Sequence, residues 1–172
     1  MSAVLRTARL DLREMNDDDL DDMAALLGDA EVMRYYPRPR TRDEAKAWID
    51  WNRGLYAERG HGLWYVALRE TGEFVGDCGL VPQEVDGRWE IEVGYHVVPR
   101  HWRKGFAAEA AAACRDHARD VLGVDRLIAL INPDNAPSQA VARRIGLRHE
   151  KDTEKWDQRL AVFSTNFGPR SV

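Results

Sequence analysis

The stretch His101-Trp102-Arg103-Lys104-Gly105-Phe106-Ala107-Ala108-Glu109 decides the fold, because it joins the clearest strand pattern in the chain to the clearest helix pattern. Upstream, Trp89, Ile91, Val93, Tyr95 and Val97 alternate with Glu90, Glu92, Gly94 and His96 as far as Pro99, the period of two that marks a strand. Downstream, Ala107, Ala111, Cys114, Ala118 and Val121 fall near helical spacing and predict a helix over 107–122, with small residues that let it lie close to a sheet. A glycine at such a junction lets backbone N–H groups converge, and the helix N-terminus adds partial positive charge. With Arg103 and Lys104 supplying further charge, the segment reads either as a phosphate cradle or as a tight strand-to-helix turn. The residues of a Walker A loop and of a dinucleotide fingerprint are absent from it.

Moving outward, Leu10, Leu12 and Met15 suggest an opening strand. Asn16 then caps a helix whose first turn, Asp17-Asp18-Asp19, suits the helix dipole and reads as solvated. Tyr35-Tyr36-Pro37-Arg38-Pro39 is a break, and Thr41-Arg42-Asp43-Glu44 is a capping box for a second helix through about residue 57. Ala45, Trp48, Ile49 and Tyr56 would face its core side. Residues 63–68 and 74–81 flank a turn and should pair as a hairpin, and Asp86-Gly87 is a second hairpin turn. After the junction come a short buried strand over 127–131, a helix from Pro137-Ser138 to Gly146, and final strands near 148–154 and 159–167. This order is mixed α/β, one sheet with helices on both faces, and predicts a single domain over residues 1–172.

Composition narrows the function. The 172 residues carry 25 basic and 29 acidic side chains, a net charge of −4, where a duplex-binding domain usually shows a strong basic excess. No nucleic-acid partner is expected, although local basic clusters leave room for a small anionic ligand. No apolar run approaches the ~20 residues that span a bilayer, and the early charges leave no apolar core for a signal peptide. A cytoplasmic protein with no membrane partner is expected, ending in a frayed tail over 168–172. Cys78 and Cys114 lack metal-ligand spacing and read as buried free thiols; no metal is expected.

Taken together, these segments resemble the GNAT acetyltransferase superfamily. Trp102-Arg103-Lys104-Gly105-Phe106-Ala107-Ala108-Glu109-Ala110 is similar to the W-G-K-G-Y-A-x-E-A form of the branch that contains bacterial ribosomal-protein N-terminal acetyltransferases. Thr7-Ala8-Arg9-Leu10-Asp11-Leu12-Arg13, Phe74-Val75-Gly76-Asp77-Cys78-Gly79-Leu80 and the N-x-x-S pair Asn135 and Ser138 fit the same branch, so the likeness covers nearly the whole chain. It implies a mostly antiparallel sheet splayed between the fourth and fifth expected strands, with acetyl-CoA as co-substrate in the gap. A primary amine, either a peptide N-terminus or a small molecule, would attack it directly in a ternary complex. Dimers are common in proteins that resemble this chain.

Residue by residue, the resemblance implies that the backbone of Val97, Val98 and Pro99 pairs with pantetheine. Backbone N–H groups of Arg103, Lys104, Gly105, Phe106, Ala107 and Ala108 would hold the pyrophosphate, and Asn135 and Ser138 would lie near pantetheine and the departing thiol. Trp102 stands where many members have Gln or Arg, and Arg103 where the branch often has Gly. The tyrosine that many members use as general acid falls at Ala142, leaving Ser138 or solvent for that role. Glu92 matches the branch's acid before Gly-Tyr and is the candidate base, directly or through water. The alternative is that Glu90 and Glu92 decorate a solvated sheet face. His96 and His101 read more readily as structural or solvent histidines. Tyr35, Tyr36 and Trp64 either line an acceptor pocket or belong to the core. A non-catalytic acyl-CoA-binding module is the competing function, and an unrelated α/β interaction domain the third.

Overall fold

In the computed structural model, residues 2–169 are described, so Arg170, Ser171 and Val172 of the expected tail lie outside them. One eight-stranded sheet runs through them. A two-residue strand, β1 (Leu5–Arg6), precedes β2 (Leu10–Arg13), followed by helices α1 (Leu20–Leu27) and α2 (Arg42–Arg59). Next come β3 (Leu63–Leu68), β4 (Phe74–Val85) and β5 (Arg88–Val97), then α3 (Phe106–His117), β6 (Arg126–Ile131), α4 (Ala136–Arg144), β7 (Arg148–Lys155) and β8 (Gln158–Asn166). The spatial order is β1-β2-β3-β4-β5-β6-β8-β7. Every pairing is antiparallel except β5 with β6, which meet at Glu92↔Ile128. The short β1 makes β5 the fourth of the strands expected from sequence.

Local chemistry explains the boundaries. The predicted capping box of Thr41 with Glu44 forms, and the predicted Asn16 cap proves to be a second such box, with Asp19. Asp86 and Gly87 take φ values of 50° and 80°, the left-handed pair that a two-residue hairpin turn requires, and this lets β4 run on to Val85 rather than stop at Val81. Two expectations are corrected, and the alternative of a solvated glutamate face is set aside. Asp19 is buried rather than solvated, because Arg13 grips both its carboxylate oxygens at 2.8 Å. The helix after the junction is regular only to His117; a wider π turn over Ala118–Leu122 follows and swings Val121 out to 65% exposure. On β5 it is Trp89, beside the hairpin tip, that faces solvent, while Glu90 on the other face is buried.

Strand alternation assigns the two faces. Asp77 on β4 pairs across from His96 on β5, and Trp48 of α2 reaches Asp77, so this face belongs to α1 and α2. Cys78 pairs across from Tyr95. Cys78 meets Cys114 of α3 with 3.7 Å between sulfurs, and Tyr95 meets Ser138 of α4, so the opposite face belongs to α3 and α4. Both cysteines are buried free thiols, as expected. Leu10, Leu12, Ile49, Trp64, Leu80 and Leu127 are fully buried in the core.

Candidate active site

The site is built around the point where β5 and β6 part. Past the Glu92↔Ile128 pair, the Leu130 N–H donates to Oε2 of Glu92 at 3.1 Å, so a side chain takes the place of the neighbouring strand. Gln83 donates to the other oxygen at 3.2 Å. Burial raises the Glu92 carboxyl to about 7, against the lowering effect of those two hydrogen bonds. Glu90, on the same face, is buried in an ion pair with Arg126 at 2.8 Å, which in turn holds Glu150. Neither glutamate decorates a solvated face: Glu90 is a structural anchor and Glu92 sits at the split.

Further along β5, Val98 N–H bonds Val75 O of β4 at 2.9 Å. Antiparallel alternation therefore turns the N–H and C=O of Val97 away from β4, toward the gap. The Trp102 indole N–H donates to that carbonyl at 2.6 Å, folding the loop against the strand end. Val98 and Pro99 carbonyls accept from the N–H groups of His101 and Trp102. His101 is buried edge-on to Phe106, 3.2 Å from Glu73, and belongs to the packing of this loop.

The turn that follows has two left-handed residues, Arg103 at φ 61° and Gly105 at φ 81°. Phe106 then starts α3, and the first N–H groups of a helix have no partner within it. Those of Phe106, Ala107 and Ala108 thus open toward the turn, a set of donors suited to a pyrophosphate. Arg9 locks this turn in place. Its Nη1 donates to Lys104 O at 3.0 Å, its Nε to Glu109 at 2.8 Å, and its guanidinium lies 4.3 Å over the Phe106 ring. Thr7 donates to the same carboxylate at 2.5 Å. The Thr7–Arg9 segment and Glu109, far apart in sequence, are one strap across the cradle.

Asn135 and Ser138 meet for a plain reason. Asn135 is the N-cap of α4, and its Oδ1 accepts from the Ser138 N–H at 3.2 Å, which accounts for the N-x-x-S spacing and leaves the Asn135 amide NH2 to serve a ligand. The Ser138 hydroxyl donates to Tyr95 Oη at 3.2 Å, and Tyr95 donates to Ser138 O at 2.8 Å. Tyr95 is the residue that sequence reasoning missed. Its signal was the alternation of β5, which puts it on the same face as the helix that carries Ser138. Ala142, one turn on, is fully buried.

On the α1–α2 face, Asp77 Oδ1 lies 2.7 Å from His96 Nδ1, and His96 Nε2 lies 2.9 Å from Tyr36 Oη. The Trp48 indole donates to the other Asp77 oxygen at 3.1 Å. Burial works against the imidazolium, but the Asp77 charge and hydrogen bond outweigh it and raise His96 above its ordinary value. His96 is therefore a partnered interior group rather than a solvent histidine. Tyr36 is 38% exposed at the rim; Tyr35, half-buried, stacks under Arg34. Trp64 is fully buried with its ring edge-on to His117 of α3, so it belongs to the core and not to an acceptor pocket. A narrow crevice of about 10 Å³ is lined by Val75, Asp77, Tyr95, His96, Val97 and Phe106. Among the described residues, no three His, Cys, Asp or Glu side chains are grouped to hold a metal, and no helix is long and apolar enough to cross a membrane.

Known proteins share this fold. Residues 9–148 match the family described as the acetyltransferase (GNAT) domain. The uncharacterized protein YkkB of Bacillus subtilis is 38% identical over 160 residues, covering 92% of this chain and 93% of that protein. The uncharacterized N-acetyltransferase YoaA of the same organism is 31% identical over 152 residues, covering 87% and 85%. The crystal structure of the acetyltransferase from Agrobacterium tumefaciens str. C58 superposes with a TM-score of 0.82 at 28% identity, covering 94% of this chain and 93% of that one. The chain belongs to the GNAT acetyltransferase family, as an acetyl-CoA-dependent N-acetyltransferase.

Proposed function

We propose that the chain, as one domain over residues 1–172, moves an acetyl group from acetyl-CoA to a primary amine of a peptide N-terminus or a small molecule, by direct attack in a ternary complex. The observation that carries this reading is the position of Glu92: a carboxyl raised to about 7 and bonded to the Leu130 N–H where β5 and β6 part. Acetyl-CoA brings the thioester carbonyl; the residues handle binding and protons. The N–H groups over 103–108 hold the pyrophosphate, and the Asn135 amide and the Val97 edge take pantetheine. Ser138, whose hydroxyl donates to Tyr95 Oη in the free chain, turns to give that proton to the thiolate on the α3–α4 side, and a proton taken from the nitrogen restores it. The amine then comes from the α1–α2 side, where Glu92 accepts a proton from its nitrogen. A general base must lie close to the operating pH to be effective, and a buried carboxyl titrating near 7 meets that condition.

The test is turnover of acetyl-CoA by the purified chain against a panel of peptide α-amines, polyamines and amino-sugar amines, read by mass spectrometry. Acetylation of one amine class with matching release of CoA is expected. If CoA raises the melting temperature but no amine in the panel is acetylated, the chain is a binding module and this proposal is wrong.

A further inference from the structure

Acetylation takes two protons from the acceptor nitrogen, since an ammonium becomes an amide. The departing thiolate takes up one. The other has to reach solvent, and Glu92 is poorly placed to deliver it, since both its oxygens are already hydrogen-bonded within the split. The α1–α2 face holds a second chain of proton-carrying groups that runs outward. Asp77, with a side chain wholly buried, meets His96, whose side chain is 9% exposed. His96 meets Tyr36, which is 38% exposed on the segment between α1 and α2. From this geometry we propose that Asp77, His96 and Tyr36 form a relay that takes the first proton from the incoming ammonium and returns it to solvent. The inference rests on the acetyl-transfer reading above.

The step balances. One N–H bond of the ammonium breaks as an O–H bond forms on Tyr36, while the original Tyr36 hydroxyl proton moves to Nε2 of His96. The acceptor is left as a neutral amine with a lone pair, and the imidazolium faces the Asp77 carboxylate through Nδ1. The reverse movement, from His96 through Tyr36 to water, resets the relay. In this scheme Tyr36 touches the substrate, while His96 and Asp77 act through it. The groups that face His96 favour the arrangement on balance: Asp77 from β4 and Glu92 from β5 stabilise the imidazolium, and Arg40, from the segment before α2, opposes it. The field of Glu92 also reaches Tyr36, which places the relay and the split in one electrostatic neighbourhood. The Trp48 indole fixes the Asp77 carboxylate so that its other oxygen points at His96. Because the relay needs neutral His96, its contribution rises with pH through a midpoint above 6.5.

The experiment compares wild type, Tyr36→Phe, His96→Gln and the double variant with the best amine from the panel, near neutral pH. Each single variant should lower kcat/KM for the amine by about 10²-fold, at the low end of what a positioned base contributes, with the KM for acetyl-CoA unchanged. The double variant should lose no more than the worse single one, because both interrupt one path. Added imidazole buffer should restore part of the Tyr36→Phe rate and leave wild type unaffected. Variants as active as wild type would overturn the relay, and so would losses that add up and ignore buffer, which mark a purely structural contact. Tyr36→Phe removes a single oxygen at the rim, so a CoA-induced rise in melting temperature equal to that of wild type verifies its fold. A wild-type enzyme inert toward every amine would overturn the acetyl-transfer reading together with the relay, whereas an active wild type with indifferent variants overturns the relay alone.

Discussion

At the scale of single residues, the Glu92 carboxyl ties stability to pH. In the unfolded chain its carboxyl ionises near 4.5, and in the fold near 7. Between those values the folded state binds more protons, so stability falls as pH rises through that window. Glu92→Gln does not titrate, so its melting temperature relative to wild type should climb between pH 5 and pH 8. A difference that stays flat with pH would show that the carboxyl is not buried as described. The same substitution should lower kcat by ~10²–10⁴-fold with little change in acetyl-CoA affinity. Glu90→Gln is the comparison: it loosens the Arg126 pair and should cost stability while leaving turnover intact. Periodicity alone put the two glutamates on one face correctly; it could not tell that the face is covered, because covering depends on β6 and its Arg126.

At the scale of elements, the decisive unit is the turn into α3. Arg103, standing where the branch often has Gly, takes a left-handed backbone like that of Gly105 two residues on. A Cβ at Gly105 meets only Arg9, at an ordinary 3.5 Å; the constraint is the φ of 81°, which costs an L residue about 1–2 kcal/mol. Gly105→Ala should therefore lose about that much stability yet still bind CoA, whereas Gly105→Glu adds a negative side chain at the donor cluster and should abolish binding. Calorimetry separates the two, and unchanged CoA affinity in Gly105→Glu would sink the cradle assignment. The strap of Thr7, Arg9 and Glu109 was visible only as two separate motifs, because its contacts join residues about a hundred positions apart.

For the whole molecule, ligand binding should appear as stability. CoA binds the fold and not the unfolded chain, so at a hundred times its Kd it adds about 2.7 kcal/mol. For a chain of this length that corresponds to a rise in melting temperature of roughly 5–11 °C. Pantetheine without the nucleotide lacks the pyrophosphate and should give much less. An absent shift with CoA would contradict the cradle, and an equal shift with pantetheine would move the binding energy away from it.

The chain's own pattern determined the strands of period two, the capped helices, the Asp86-Gly87 turn and the junction at Gly105, because each is set by interactions within a few residues. From those and their order, the family and the general chemistry followed. Only the tertiary structure decided which groups meet. Strand pairing puts Asp77 beside His96 and Tyr95 beneath Ser138, packing buries Trp64, and the π turn after His117 rotates Val121 into solvent. The physical reason is that burial and proton affinity are set by what the rest of the chain brings alongside. The Glu92 carboxyl is raised to about 7 by desolvation at the point where β6 parts from β5, a surrounding that no local pattern in the sequence reveals.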